Sequence, residues 1–237
     1  MNLPINQGAT YNITIPSTGK TIKFRQFLVK EQKALLIAQQ SKDENVMYNT
    51  LKEVVKGCIK DPIDIDKLAL FDIEYLFVAI RAKSVGEVVE VVLLCPDCND
   101  PKAKVNYNID LENIKVDIDP NHSNKIHLFD DVGVAMKYPS FDTLRIMQTS
   151  NLQDPNQAIN VVISCIDYIY NTDAVFKSED VSKEKMIEFI DNLSDIQLNE
   201  IKKFLKTMPK IYVDIEYTCP VCSKTHKRRL EGLASFF

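Results

Sequence analysis

The 237-residue chain is 45% hydrophobic, enough to furnish the core of one large domain or two modest ones, which excludes disorder as its main state. Its 33 acidic and 29 basic side chains leave a formal charge of −4, which argues against a whole-surface binder of nucleic acid or anionic membrane. Six glycines in the whole chain leave little material for a phosphate-cradling loop, so nucleotide enzymes are set aside.

The opening MNLPINQGATYN carries neither a basic nor an apolar signal region, and no apolar run approaches the roughly 18 to 20 residues that span a bilayer, so folding in a cytoplasm is expected. Tyr11 to Ile15 and Thr21 to Phe24 are β-type runs around the turn Pro16-Ser17-Thr18-Gly19-Lys20, and predict a hairpin. Gly19-Lys20-Thr21 imitates the end of a phosphate loop, but Thr14 stands where the motif needs glycine. Helices are predicted from Lys30 to Ser41, from Glu44 to Cys58, and from Asp72 to Lys83, where Ile73, Leu76, Phe77 and Ile80 keep one face apolar.

Glu87 to Leu94 and Lys102 to Ile109 predict the arms of a second hairpin, followed by short strands at Ile114 to Ile118, Lys125 to Leu128 and Val132 to Tyr138. Asp154-Pro155 is a cap and first turn, and Ile159, Val162, Ile163, Ile166 and Ile169 fall on one face of a helix running to about Tyr170. Ser182 caps a helix with Met186, Ile187, Ile190 and Leu193 inward. Ser194-Asp195-Ile196-Gln197 is a capping box opening another, which Pro209 stops. A last hairpin has arms Lys210 to Tyr217 and Lys224 to Leu230. The order of helices followed by a CxxC hairpin occurs twice.

Cys95-Pro96-Asp97-Cys98 and Cys219-Pro220-Val221-Cys222 each lie between two hairpin arms. Two residues between cysteines turn both sulfurs toward one point, and two such knuckles supply the tetrahedral four-thiolate shell that Zn2+ favours. About 120 residues separate the pairs, but loop-closure cost grows only logarithmically with length, whereas structural zinc in small peptides is worth on the order of 10 kcal/mol. The rival redox reading needs the first cysteine at a helix N-terminus, and both pairs lead into turns and strands. One structural zinc per chain, on Cys95, Cys98, Cys219 and Cys222, is the expectation. His226 is an alternative ligand, and Cys58 and Cys165 are expected to be buried small hydrophobes. A closed four-thiolate shell leaves no coordination position for water or substrate.

The remaining chemistry is sparse. Asp61, Asp64 and Asp66 lack the turn glycine and distal glutamate of a calcium loop and read as helix caps, while His122 and His127 read as solvated loop residues. No nucleophile elbow or triad pattern is present, so no catalytic residue is assigned. Lys224, Lys227, Arg228 and Arg229 form a basic cluster beside the second knuckle, as in zinc ribbons that touch nucleic acid; the acidic net charge and the lack of interleaved aromatics favour a solvated or partner-facing strand. Phe236 and Phe237 either tuck under the last hairpin or insert into a partner.

These elements predict an α+β fold: helical bundle segments packed with β-hairpins, the two CxxC hairpins joined as a zinc-ribbon-like four-cysteine site. A single compact domain over 1–237 is expected, with substructure at 1–83, 84–139, 140–209 and 210–237.

Several segments resemble one family. Phe24-Arg25-Gln26-Phe27-Leu28-Val29-Lys30-Glu31 with Lys33-Ala34-Leu35-Leu36, then Arg81-Ala82-Lys83-Ser84-Val85-Gly86-Glu87, Met136-Lys137-Tyr138-Pro139, Thr207-Met208-Pro209-Lys210, the CPxC knuckles and Glu231-Gly232-Leu233 are similar, in order and spacing, to the baseplate hub assembly protein family of T-even-like contractile-tailed phages. The resemblance runs from about residue 10 to the end; Gln26 departs from the family's proline. It implies a non-enzymatic late protein, a hub subunit or assembly chaperone, acting on other baseplate hub proteins in the host cytoplasm and the virion tail baseplate. Oligomerisation within the tail assembly is compatible with it. Phe27, Leu28, Phe236 and Phe237 are the candidate contact residues; a zinc-ribbon nucleic-acid-associated factor is the alternative.

Overall fold

The computed structural model describes residues 8–98, 100–140, 143 and 154–236, which form two compact units. Unit 1 takes residues 1–65, 71–117 and 210–237; unit 2 takes 66–70 and 118–209. The candidate interface residue Phe237 lies outside the described residues.

Unit 1 opens with strands β1 (Thr10–Thr14) and β2 (Thr21–Arg25), antiparallel as the sequence predicts. Alternation sends Ile22 and Phe24 inward, each almost wholly buried, and Gly19 takes the positive φ of 67° that closes the turn. Helices α1 (Val29–Ser41), α2 (Glu44–Cys58) and α3 (Leu70–Val85) follow within two residues of their expected limits. The Glu31 carboxylate accepts the Leu28 N–H at 2.8 Å and the Arg25 guanidinium at 2.7 Å, and Arg25 also donates to the Gly57 carbonyl at 2.6 Å, tying the end of β2 to α1 and α2. Asp61 accepts the Lys23 backbone N–H, so it serves strand β2 and not a helix end.

Strands β3 (Val88–Leu94) and β4 (Lys104–Asp110) form the first knuckle hairpin, and β5 (Lys115–Asp117) leads into unit 2. The chain returns as β10 (Lys210–Thr218), which pairs with both β5 and the final strand β11 (Thr225–Glu231). Because Lys210 lies opposite Asp117, the chain leaves for unit 2 and comes back at neighbouring positions of one sheet. That connection removes the apparent oddity of two knuckles far apart in sequence. The unit 1 core gathers Val78 and Ala82 of α3, Val89, Leu93 and Ile109 of the hairpin, and Ile211, Val213 and Ile215 of β10.

Unit 2 is a four-stranded antiparallel sheet in the order β6-β7-β8-β9, with β6 (Lys125–Phe129), β7 (Val132–Met136), β8 (Ile166–Tyr170) and β9 (Val175–Lys177). Helices α4 (Pro155–Ser164), α5 (Lys183–Asp191) and α6 (Asp195–Thr207) complete it. The Ser194–Gln197 capping box forms: the Ser194 hydroxyl accepts the Gln197 N–H, and the Gln197 side chain accepts the Ser194 N–H. The helix expected to reach Tyr170 ends at Ser164, and Ile166 and Ile169 lie in a central strand. A register shift pairs Ala135 with Tyr168 but Met136 with Ile166, leaving Asp167 unopposed. The bulge turns Ile166 and Ile169, three residues apart, into the same core, reproducing the spacing of a helix face.

Gly133 of β7 lies opposite Tyr170, and a Cβ there would strike the tyrosine ring and come within 2.8 Å of the Ile126 carbonyl oxygen. Gly133→Ala is therefore expected to destabilise unit 2 by about 2 to 4 kcal/mol, measured by urea unfolding, because the Tyr170 ring must be displaced and the Ile126 carbonyl, part of the β6 backbone, cannot retreat cheaply.

His122 corrects another expectation. Its ring is half-buried, stacked on Phe204 and Tyr138 at centroid distances of 4.8 and 5.6 Å. The Thr207 hydroxyl donates to the Lys203 carbonyl, so in the 2.9 Å bond between His122 Nδ1 and Thr207 Oγ1 the imidazole is the donor and Nε2 is bare. Nε2 is buried with no hydrogen-bond partner among the described residues. Burial lowers the His122 pKa, opposed by Asp119, so the unfolded chain takes up the proton first. The stability this group contributes is present above the unfolded value of about 6.5 and is lost as the pH falls through the lower folded value. In chemical denaturation from pH 7.5 to 5, His122→Phe is expected to flatten part of the wild-type decline.

Candidate metal centre

Strand β3 delivers Cys95 and the turn after it Cys98, while β10 delivers Cys219 and the following turn Cys222. The two knuckles share a backbone plan. The Cys95 N–H donates to the Ala103 carbonyl at 3.0 Å, and the Cys219 N–H to the Lys224 carbonyl at 2.9 Å, so each first cysteine closes its own hairpin. In the second knuckle Ser223 adopts a positive φ of 59° and donates its N–H back to the Cys219 carbonyl.

The four sulfurs all lie within 4.8 Å of one another. Cys95 Sγ is 3.8 Å from Cys222 Sγ, and Cys98 Sγ is 3.6 Å from Cys219 Sγ. A tetrahedral site with metal–sulfur bonds of about 2.3 Å has sulfur–sulfur edges of about 3.8 Å, whereas a disulfide needs about 2.05 Å. The spacing therefore matches a metal shell, with each close pair made of one sulfur from each knuckle. Cys95 and Cys219 are buried, and Cys98 and Cys222 half-buried. Backbone N–H groups of Cys222 and Val221, working against burial, bring the Cys219 thiol down to about 7, and the Val221 N–H lies 3.4 Å from the sulfur. The Cys98 thiol is pushed up, chiefly by its hydrogen bond with Cys222 and then by burial.

Outside the sulfurs, Lys224 of one knuckle bonds Asp97 of the other at 2.8 Å. The pair is exposed, so it aligns the knuckles more than it stabilises them. His226 Nε2 lies 3.3 Å from Cys95 Sγ. Cys58 and Cys165 are fully buried, small core hydrophobes that are not among the clustered sulfurs.

The basic cluster is largely neutralised where it stands. Lys224 faces Asp97, Lys227 lies 3.4 Å from Glu216, and Arg229 binds Asp214 at 2.9 Å and Asp117 at 2.6 Å while lying 4.1 Å over the Tyr212 ring. Paired cations offer a polyanion little net field.

The candidate contact residues separate. Phe27 and Leu28 are half-buried; the Phe27 N–H donates to Ser84 Oγ at 2.8 Å and its ring packs on Phe77 at 5.9 Å. Phe236, offered as an interface anchor, is 0% exposed and belongs to the unit 1 core. The cause is the turn at Gly232, whose N–H donates to the Ile211 carbonyl, with the Leu233 N–H reaching Glu74 Oε1 at 3.4 Å. Burial pushes the Glu74 carboxyl up to about 7. What sequence reading missed here was the outer set of the cluster, the Asp97–Lys224 clasp and Tyr217. The available signal was position, Tyr217 standing two residues before Cys219 and His226 four after Cys222 on the two arms of the predicted hairpin.

Comparison with known proteins finds a family described as T4 bacteriophage base plate protein matching residues 8–237. The baseplate hub assembly protein gp26 of Enterobacteria phage T4 is 24% identical over 227 residues, covering 96% of this chain and 97% of that protein. No solved structure matches. With a family match running through both units and both knuckles, the chain belongs to the T4 bacteriophage base plate protein family.

Proposed function

We propose that this protein is a non-enzymatic component or assembly chaperone of the central hub of a phage tail baseplate, stabilised by one structural zinc and working through protein–protein contacts. The observation that carries the reading is the full-length similarity to a baseplate hub assembly protein, spanning 96% of this chain. The four-sulfur cluster supports its structural part. Cys95, Cys98, Cys219 and Cys222 would hold the ion, and a shell closed by four thiolates fixes two hairpins without activating water. Its partners are other baseplate hub proteins, met in the host cytoplasm during assembly and in the virion tail baseplate. Among the described residues no helix is long and apolar enough to cross a membrane.

The hub-facing surface in this reading includes Phe27 and Leu28, which lead into α1 with its exposed Val29, Leu36 and Ile37. Apolar side chains flanked by the exposed Lys30 and Lys33 suit an interface of apolar centre and polar rim. A phage lacking the gene is expected to yield no normal baseplates, scored by electron microscopy of lysates, and the tagged protein to co-purify hub proteins from infected cells. Normal baseplates in the deletion phage would overturn the reading. Steeply salt-dependent retention on single-stranded DNA would favour the nucleic-acid alternative instead.

A further inference from the structure

We infer that His226 is an outer positioning residue of the metal centre: its Nε2–H donates to the Cys95 sulfur and does not itself ligate the ion. This rests on the reading that the four sulfurs hold zinc. Those sulfurs lie within 4.8 Å of one another, and a tetrahedral ion held by all four would have no position left for a nitrogen. The imidazole nevertheless comes within 3.3 Å of Cys95 Sγ. A metal-bound thiolate can only accept, so the proton in that contact sits on Nε2.

The ring is held in place by the same residue that sets the cysteine's backbone. Register places His226 of β11 opposite Tyr217 of β10, with ring centroids 5.4 Å apart. The Tyr217 hydroxyl donates to the carbonyl of Leu94, the residue before Cys95, at 3.1 Å. One tyrosine thus fixes both partners of the N–H···S contact. The arrangement also fills an asymmetry between the knuckles. Cys219 Sγ receives the Val221 backbone N–H at 3.4 Å, while among the described residues Cys95 Sγ receives no backbone N–H, and the imidazole from the opposite hairpin takes that role. Four thiolates around a dication carry a net charge of −2, and each N–H···S bond draws part of it off the sulfur, strengthening retention of the ion.

The test uses the full chain as wild type, His226→Ala and His226→Gln, each loaded separately with Zn2+ and with Co2+. The expected result is a four-thiolate cobalt spectrum in all three. In His226→Ala the sulfur-to-cobalt charge-transfer bands move to longer wavelength, because the Cys95 sulfur regains electron density, and zinc is released to a chelator roughly 10- to 100-fold faster. His226→Gln, which can place an amide N–H near the Nε2 position, restores both readouts in part. A ligand-field pattern in His226→Ala showing loss of a nitrogen ligand would overturn the inference, since the histidine would then be in the shell. Unchanged bands and release rates would overturn it as well, making the contact incidental. Failure of the wild type to take up either ion would instead overturn the zinc reading, and with it this inference.

Discussion

Cys219→Ser is expected to abolish zinc binding and to destabilise unit 1 by several kcal/mol, about the scale of losing a structural metal. Of the four sulfurs, Cys219 is 1% exposed, accepts a backbone N–H and lies against the Cys98 sulfur of the other hairpin, so its loss opens the shell at its most enclosed corner. The joint between the hairpins then rests on the apolar core they share, the Tyr217–Leu94 bond and the exposed Asp97–Lys224 pair. Elemental analysis of the wild type should give one zinc per chain; less than about half an equivalent in protein made with zinc present would refute the assignment. Cys58→Ala and Cys165→Ala should retain the metal and merely open small cavities, each being a buried core thiol. Loss of zinc from either would mean that the cysteines are divided wrongly.

Phe236→Ala is expected to cost about 3 to 5 kcal/mol, the usual range for deleting a buried phenylalanine ring. The ring is fully enclosed among core residues that include Ile211 and Leu230, and the chain end that carries it is anchored by Gly232 and Leu233. Urea unfolding followed by circular dichroism would measure it, with Leu36→Ala on the exposed side of α1 as a near-neutral control. A neutral Phe236→Ala would return this side chain to the list of docking anchors. Removing both terminal phenylalanines is accordingly a test of stability before it is a test of hub association.

Local signals in the sequence marked most elements and the four cysteines that cluster. Where one face of a segment is buried and its ends carry capping or turn residues, the pattern of side chains is sufficient. Ser194 with Gln197 marked the start of α6, Gly19 marked the first turn, and the two CPxC pairs marked the cluster by spacing alone. Tertiary structure decided what depends on a neighbour distant in the chain. The bulge at Asp167 gives Ile166 and Ile169 helical spacing inside a strand, because it is β7 that pairs with them. His122 became a stacked, half-buried ring because α6 brings Phe204 to it, and Phe236 a core residue because β10 holds Gly232. The two knuckles meet because β5 and β10 pair at the points where the chain leaves for unit 2 and returns, a closure written in backbone hydrogen bonds and in no local motif.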